Sequence, residues 1–323
     1  MTDIFETYSL QSMQLSNRIV RSATNDYCGG MNGAISEKQI QLYKSLAETG
    51  IGLIITGNFF VSEDGRLDFT QNAITEKFFD LEGAKRLVQV IHKGNDKFTS
   101  KVVFQIAHAG RKTKVNAEIA KNYDKVEQIE PKRIEQIEKD FADAVERCAD
   151  VGADGVQVHF GHGYLLGELL EERLDGLQIT ETVFSKIREK KAEYPVFVKV
   201  NTDINQERLL GFYKLCQKYG ICAIELSGST FPQMKQKDHN YYANAVSVAK
   251  KNCDLPIILT GGIRSLEDGK AALDVGADLI GMSRPFISEP QLLLKWKEKK
   301  SRCISCCQCF HLYQLKGKHC IFE

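Results

Sequence analysis

The sequence predicts an α/β fold, a closed (β/α)8 TIM barrel, and three features carry that expectation. First, short apolar runs recur along the chain, each separated from the next by a helix-like stretch, which is how βα units of a parallel sheet read. Eight such runs stand at 18–23, 52–56, 102–107, 155–160, 196–200, 223–226, 256–260 and 279–282. Second, four of them are entered through similar glycine turns, at 49–53, 151–155, 219–223 and 275–279, a weak internal repeat of one βα unit. Third, Ile134, Ile137, Phe141, Val145 and Cys148 fall on one helical face with charges opposite, as an outer helix of a barrel requires. Eight parallel strands that are apolar nearly throughout need cover on both faces, and closing the sheet is the simplest way to provide it.

An open doubly wound sheet is the alternative. Against it, the turn after the first run reads Ser22, Ala23, Thr24, Asn25, without the Gly-x-Gly-x-x-Gly of a dinucleotide-binding turn. The 323 residues suit one barrel, since such barrels take about 250 residues in one piece. No linker interrupts residues 1–300, and only the cysteine-rich tail at 301–323 stands apart.

Composition narrows the function. With 43% hydrophobic and 26% charged residues the chain reads as a soluble globular enzyme. A formal net charge of +1 gives a phosphate backbone or an anionic membrane little to attract, so neither nucleic acid nor lipid is an expected partner. Residues 1–20 lack a basic start and an apolar core of the signal-peptide kind, and the longest apolar runs are far shorter than the roughly 18 residues of a membrane span. A cytoplasmic protein is expected. In that reducing setting the ten cysteines do not read as a disulfide framework. Cys28, Cys148, Cys216, Cys222 and Cys253 are scattered like core residues, whereas the other five crowd the tail.

In barrel enzymes the chemistry sits at the C-terminal ends of the strands. There the third run carries Gln105 and leads to His108 and Arg111, and the fourth carries His159 and leads to His162 and Tyr164. The fifth run meets Lys199, a cation facing a dry interior unless something anionic or electron-rich pairs with it. Gly261 and Gly262 follow the seventh run, and Ser283 and Arg284 follow the eighth. Together these two ends offer backbone N–H groups and a guanidinium where barrels commonly bind phosphate. A single histidine or glycine at such a place is more often structural; two histidines three apart beside a tyrosine, and glycines joined by an arginine, favour function. Zinc on the histidines is disfavoured because no carboxylate or third histidine stands nearby. His92, His239, His311 and His319 carry no functional expectation.

Over nearly its whole length the chain resembles the NADH:flavin oxidoreductases of the Old Yellow Enzyme family, especially the 2,4-dienoyl-CoA reductase branch. The likeness rests on five ordered motifs: Ile4 to Glu6 with Leu15 to Val20, Gln105 to Lys112, His159 to Leu165, Thr260 to Arg264, and Met282 to Phe286. It implies an opening N-terminal hairpin, bound FMN, NADH or NADPH as donor, a small-molecule unsaturated substrate and a homo-oligomer. By the same resemblance Ser22, Ala23 and Thr24 line the flavin ring, Gly57 lets the ring lie close to the backbone, and Gln105 bonds its pyrimidine edge. Lys199 takes the place of an arginine beside N1 and O2, and Gly262, Ser283 and Arg284 bind the phosphate. His159 and His162 match the pair that binds a substrate carbonyl, and Tyr164 the acid that protonates the α-carbon.

The chain departs from the pattern in its shortened loops after Arg111 and after Leu165, and in Asn25, which stands where some relatives carry a redox-tuning cysteine. In the tail, the resemblance implies a [4Fe-4S] cluster. Phe310 occupies the expected third ligand position, so the ligand set becomes Cys303, Cys306, Cys309 and Cys320, leaving Cys307 spare. Structural zinc and free thiols are the alternatives there. Two other functions stay open: a phosphate-binding barrel lyase or isomerase without flavin, which has no use for Gln105, Lys199 and the histidine pair together, and an electron-transfer carrier of flavin or metal.

Overall fold

The computed structural model describes residues 3–30, 32–95, 97–234, 236–311 and 317–322. The strands are β1 (Tyr8–Leu10), β2 (Met13–Leu15), β3 (Ile19–Arg21), β4 (Leu53–Ile55), β5 (Phe59–Phe60), β6 (Lys101–Ala107), β7 (Gly155–Phe160), β8 (Val196–Asn201), β9 (Ala223–Ser227), β10 (Ile257–Thr260) and β11 (Leu279–Met282). Strands β1 and β2 form the antiparallel hairpin. The sheet runs β4-β3-β11-β10-β9-β8-β7-β6, and a β4–β6 pairing closes it into a parallel barrel of eight strands. Each expected run coincides with one of these strands. The short β5 continues alongside the end of β6.

The glycine repeat has a direct cause. Gly50, Gly152, Gly220 and Gly276 each follow a helix with φ of +81°, +77°, +59° and +99°. A left-handed residue at that point ends the helix and turns the chain into the next strand, and only glycine takes it without strain.

The helix Pro131–Asp150 begins with proline, whose missing N–H is not needed there, and buries Ile134, Ile137, Phe141, Val145 and Cys148 as the spacing requires. Along β7 the period-two alternation sends Val156, Val158 and Phe160 outward to the helices. There Phe160 meets Phe184 and Phe212 at ring-centroid separations of 5.8 and 4.9 Å. The same alternation turns Gln157 and His159 into the barrel.

The barrel interior is divided by depth. At the end where the strands start, Leu10, Met13 and Leu15 of the hairpin pack with Leu53, Val103, Phe197, Ala223, Ile258 and Leu279 into an apolar plug. At the other end the inward positions are polar: Gln105, Gln157, His159, Lys199, Glu225, Ser227 and Thr260 are all buried. The tail closes over that end. The Ser301 N–H donates to Arg264 O and the Lys318 N–H to Asp26 O. No helix among the described residues is long and apolar enough to cross a membrane.

Candidate active site

A cavity of about 630 Å3 opens at the C-terminal ends of the strands, within the roughly 300–1,000 Å3 range of cofactor and ligand pockets. Ala23, Thr24, Gln105, His159, His162, Tyr164, Lys199, Ser283 and Arg284 line it, as expected from sequence. Three expected residues do not. The space beside Gly57 belongs to the protein itself, because a Cβ there would stand 2.8 Å from Thr24 O. Gly57 therefore shapes the loop behind the cavity rather than its wall. At Gly262 a Cβ would stand 2.6 Å from the Tyr241 ring, and it is Gly261 that faces the cavity. The Ser22 side chain is turned inward to a carboxylate that the sequence analysis did not single out.

That carboxylate is Glu225. Strand register sets it opposite Lys199, and the two side chains meet at 2.8 Å with 0% and 4% of their surface exposed. Glu225 Oε1 also accepts from Ser22 Oγ at 2.5 Å and from Thr260 Oγ1 at 2.7 Å. Its Oε2 accepts from Gln157 Nε2 at 2.8 Å, and Gln157 Oε1 accepts from Gln105 Nε2 at 2.7 Å. One carboxylate thus ties down side chains from the ends of β3, β6, β7, β8 and β10. Burial alone would raise its proton affinity, but the Lys199 ammonium and the Ser22 and Gln157 donors more than offset this and hold it ionised, below the usual carboxylate range. A charged residue on the inward face of an apolar strand was the available signal, since Glu225 shares its face with Ala223 and Ser227.

The histidines and the tyrosine form one group. The His159 ring lies 5.3 Å from that of His162 and 4.7 Å from that of Tyr164, between centroids. Burial drives both histidines toward the neutral form, His162 down to about 3 and His159 well below its ordinary value, and the nearby Lys199 charge pushes the same way. His162 sits in the left-handed region at φ +56°. Its backbone N–H donates to Asn201 Oδ1 at 3.0 Å, and its Nε2 lies 3.2 Å from Ser227 Oγ. His159 Nδ1 is buried without a hydrogen-bond partner among the described residues, a group that a bound molecule can satisfy.

Burial pushes Tyr164 up to about 12. The Tyr164 hydroxyl oxygen accepts from Asn58 Nδ2 at 3.0 Å, and Asn58 Oδ1 accepts from Gln71 Nε2 at 2.6 Å. With its lone pair so engaged, the phenol keeps its own proton to donate. Position comes from the loop after β6. The Leu165 N–H donates to His108 O at 2.9 Å, while Arg111 pairs with Glu168 at 2.6 Å and Glu172 at 2.5 Å, anchoring the helix that starts behind Tyr164. His108 and Arg111 thus hold the site without lining it.

The cavity wall carries Lys112, Lys114, Lys199, Arg284 and Lys318 and, among the described residues, no aspartate or glutamate, so it favours anionic ligands. Arg284 faces two cavities. Its Nη1 donates to Cys307 Sγ at 3.0 Å, and Cys303, Cys306, Cys307, Cys309 and Cys320 together line a small cavity on its far side. Among the described residues no group of three Cys, His, Asp or Glu side chains is placed to hold a single metal ion.

Comparison with known proteins agrees with this geometry. The family model described as NADH:flavin oxidoreductase / NADH oxidase family matches residues 3–176, and one described as dihydrouridine synthase matches residues 170–320. An NADH oxidase of Thermoanaerobacter brockii is 23% identical over 94% of this chain and 52% of its own length, so the chain spans about half of that relative. An NADPH dehydrogenase of Bacillus subtilis is 26% identical over 89% of this chain and 92% of its own. The solved structure of a 2-naphthoyl-CoA reductase in complex with 2-naphthoyl-CoA superposes with a TM-score of 0.81 at 19% identity, over 91% of this chain and 52% of that one, a likeness of fold. Motifs, barrel and cavity lead to the same place as a family model that spans more than half of the 323 residues: the chain belongs to the NADH:flavin oxidoreductase / NADH oxidase family.

Proposed function

We propose that the protein is an FMN-dependent oxidoreductase that passes hydride from NADH or NADPH to an electron-poor C=C bond of an enone, enoate or enoyl thioester. The observation that carries this reading is the meeting, in one cavity, of Gln105 and Lys199, of Ser283 and Arg284, and of His159, His162 and Tyr164. A lyase or isomerase that only binds phosphate has no use for the first and third of these groups. The residues fit FMN. Gln105 and Lys199 offer an acceptor and a cation to a pyrimidine edge, and Arg284 stands where a phosphate needs a guanidinium, in a wall free of carboxylates among the described residues. Bound there, the flavin supplies hydride chemistry at N5.

The chain's own residues do the rest. His159 and His162, kept neutral by burial, hydrogen-bond a substrate carbonyl and draw electron density from the conjugated β-carbon. Tyr164, neutral and with its oxygen held by Asn58, protonates the α-carbon. The excess of lysines over carboxylates in the wall suits the phosphates of the nicotinamide donor and favours acceptors with a negative group.

The four thiols of Cys303, Cys306, Cys309 and Cys320 are proposed to hold a [4Fe-4S] cluster. They line one small cavity, and an all-thiol donor set suits iron–sulfur or zinc. Among the described residues no group of three such side chains is placed to hold a metal ion, so the all-thiol donor set and the shared cavity are what support this reading.

Four outcomes are expected. The purified protein carries non-covalent FMN, visible in its absorbance spectrum and identified after extraction, and Arg284→Ala retains less of it; extracted FAD, or no flavin even after reconstitution, contradicts the reading. Tyr164→Phe slows oxidation of the reduced enzyme by an enone about 100-fold, the scale of general acid catalysis, and leaves flavin reduction by the nicotinamide nearly unchanged. In the wild type the same step shows no histidine titration near pH 6.5 and no loss of the acid below about pH 10, because burial pushes His162 down to about 3 and Tyr164 up to about 12; Lys318 in the same wall, lowered by burial to about 8, is the group expected to titrate between them. Stopped-flow traces of the two half-reactions decide, and equal losses in both, or a titration near pH 6.5, count against these roles. Anaerobically purified protein contains iron and acid-labile sulfide in near-stoichiometric amounts; zinc alone, or no metal, rules the cluster out.

A further inference from the structure

Glu225 does not line the cavity, yet both residues assigned to the flavin's pyrimidine edge are bonded to it, Lys199 directly and Gln105 through the amide of Gln157. A buried ion pair is a poor way to stabilise a fold, because desolvation cancels most of its attraction and a well-packed apolar pair often does as well. We propose that Glu225 is a positioning residue that fixes which way Gln105 faces and how much positive charge Lys199 presents to the flavin, and so holds down the flavin's reduction potential. This rests on the flavin reading above.

The orientation follows from donor and acceptor counts. An ionised carboxylate can only accept. Gln157 must therefore turn its Nε2 to Glu225, at 2.8 Å, which leaves its Oε1 to accept from Gln105 Nε2 at 2.7 Å. Gln105 Oε1, which accepts from no described residue, is then the end that faces the cavity. An acceptor there selects a ligand edge with a central N–H, which a flavin's pyrimidine edge has at N3. Were residue 225 an amide, it could donate as well as accept, and both glutamines could turn over and present NH2 instead.

The charge follows from proximity. Lys199 Nζ is 2.8 Å from Glu225 Oε1, so its positive charge acts on the cavity as one end of a dipole rather than as a free cation. Two-electron reduction places negative charge on the flavin at N1 and O2. An unopposed Lys199 would favour that form more strongly than the pair does.

The two roles separate in measurement. The Gln105 contact to N3–H is made in both oxidation states, so its loss weakens both and largely cancels from the potential; the Lys199 charge acts more strongly on the reduced form, where negative charge develops at N1 and O2. In FMN-loaded full-length protein, Glu225→Gln is expected to favour reduced over oxidised FMN at least tenfold more than wild type does. For a two-electron couple this is a rise of about 30 mV in a dye-linked redox titration. Gln157→Met, which breaks the relay and leaves the charge, is expected to weaken oxidised FMN about tenfold by fluorescence titration, the value of one hydrogen bond, and to move the ratio less than threefold.

The double variant Lys199→Met with Glu225→Gln buries no charge and serves if the single one loses its fold: its ratio stays within about threefold of wild type. An unchanged or lowered potential in Glu225→Gln overturns the proposal. So does a Gln157→Met shift as large as that of Glu225→Gln, or a double variant more than tenfold below wild type. Failure of wild-type protein to take up FMN would instead overturn the flavin reading itself.

Discussion

The ion pair between Lys199 and Glu225 is the interaction on which the rest of the site depends. Two adjacent strands deliver it in register, and both side chains lie inside the barrel away from solvent. Either charge alone would be costly there, since removing one partner leaves the other buried and unpaired, typically about 3–5 kcal/mol of destabilisation. Together they make a polar floor into which Ser22, Thr260 and Gln157 donate. The apolar plug of Leu10, Met13 and Leu15 fills the opposite end of the same interior. The barrel is thus a core at one end and an oriented set of dipoles at the other, and catalytic electrostatics of this kind costs nothing at the moment of reaction because it was built during folding.

A second layer of support comes from loops. The segment His108 to Lys112 stands among the most recognisable stretches of the sequence, yet His108 and Arg111 work at a distance. They hold the helix Leu165–Glu172, and with it Tyr164, against the barrel. The neutrality of the two histidines and the tyrosine is likewise a product of placement. Burial disfavours the charged form of each, and Lys199 adds to that effect on the histidines. The site is therefore suited to hydrogen-bond donation by uncharged groups in a cationic wall, beside a Lys199 whose charge is paired with Glu225.

Much of this was legible in the sequence, for identifiable reasons. Parallel barrel strands are buried on both faces and announce themselves as apolar runs, and the left-handed glycines before β4, β7, β9 and β11 repeat because the same helix-to-strand turn is made each time. His159, His162 and Tyr164 were visible because polar residues at a strand end have few structural uses. Glu225 was missed because one acidic residue between Ile224 and Leu226 draws no attention until the facing lysine is known, and that pairing is a matter of strand register. Gly57 and Gly262 lie outside the cavity's lining for a different reason: a glycine signals that something comes close without saying what. In both cases the close neighbour is the protein, Thr24 O for one and the Tyr241 ring for the other. The contact of Arg284 with Cys307, which joins the anion end of the cavity to the cysteine-lined one, spans 23 residues of sequence and has no local signature.

The central claim is that the polar floor of the barrel reads the pyrimidine edge of a flavin, with Glu225 deciding how Gln105 and Lys199 meet it. A crystal structure of the protein with FMN bound tests it most directly. The account predicts Gln105 Oε1 at hydrogen-bonding distance from ring N3, Lys199 Nζ beside N1 and O2 while still paired with Glu225, and the phosphate on Arg284. A flavin whose pyrimidine edge turns away from Gln105, or a Lys199 that has left Glu225, would contradict it.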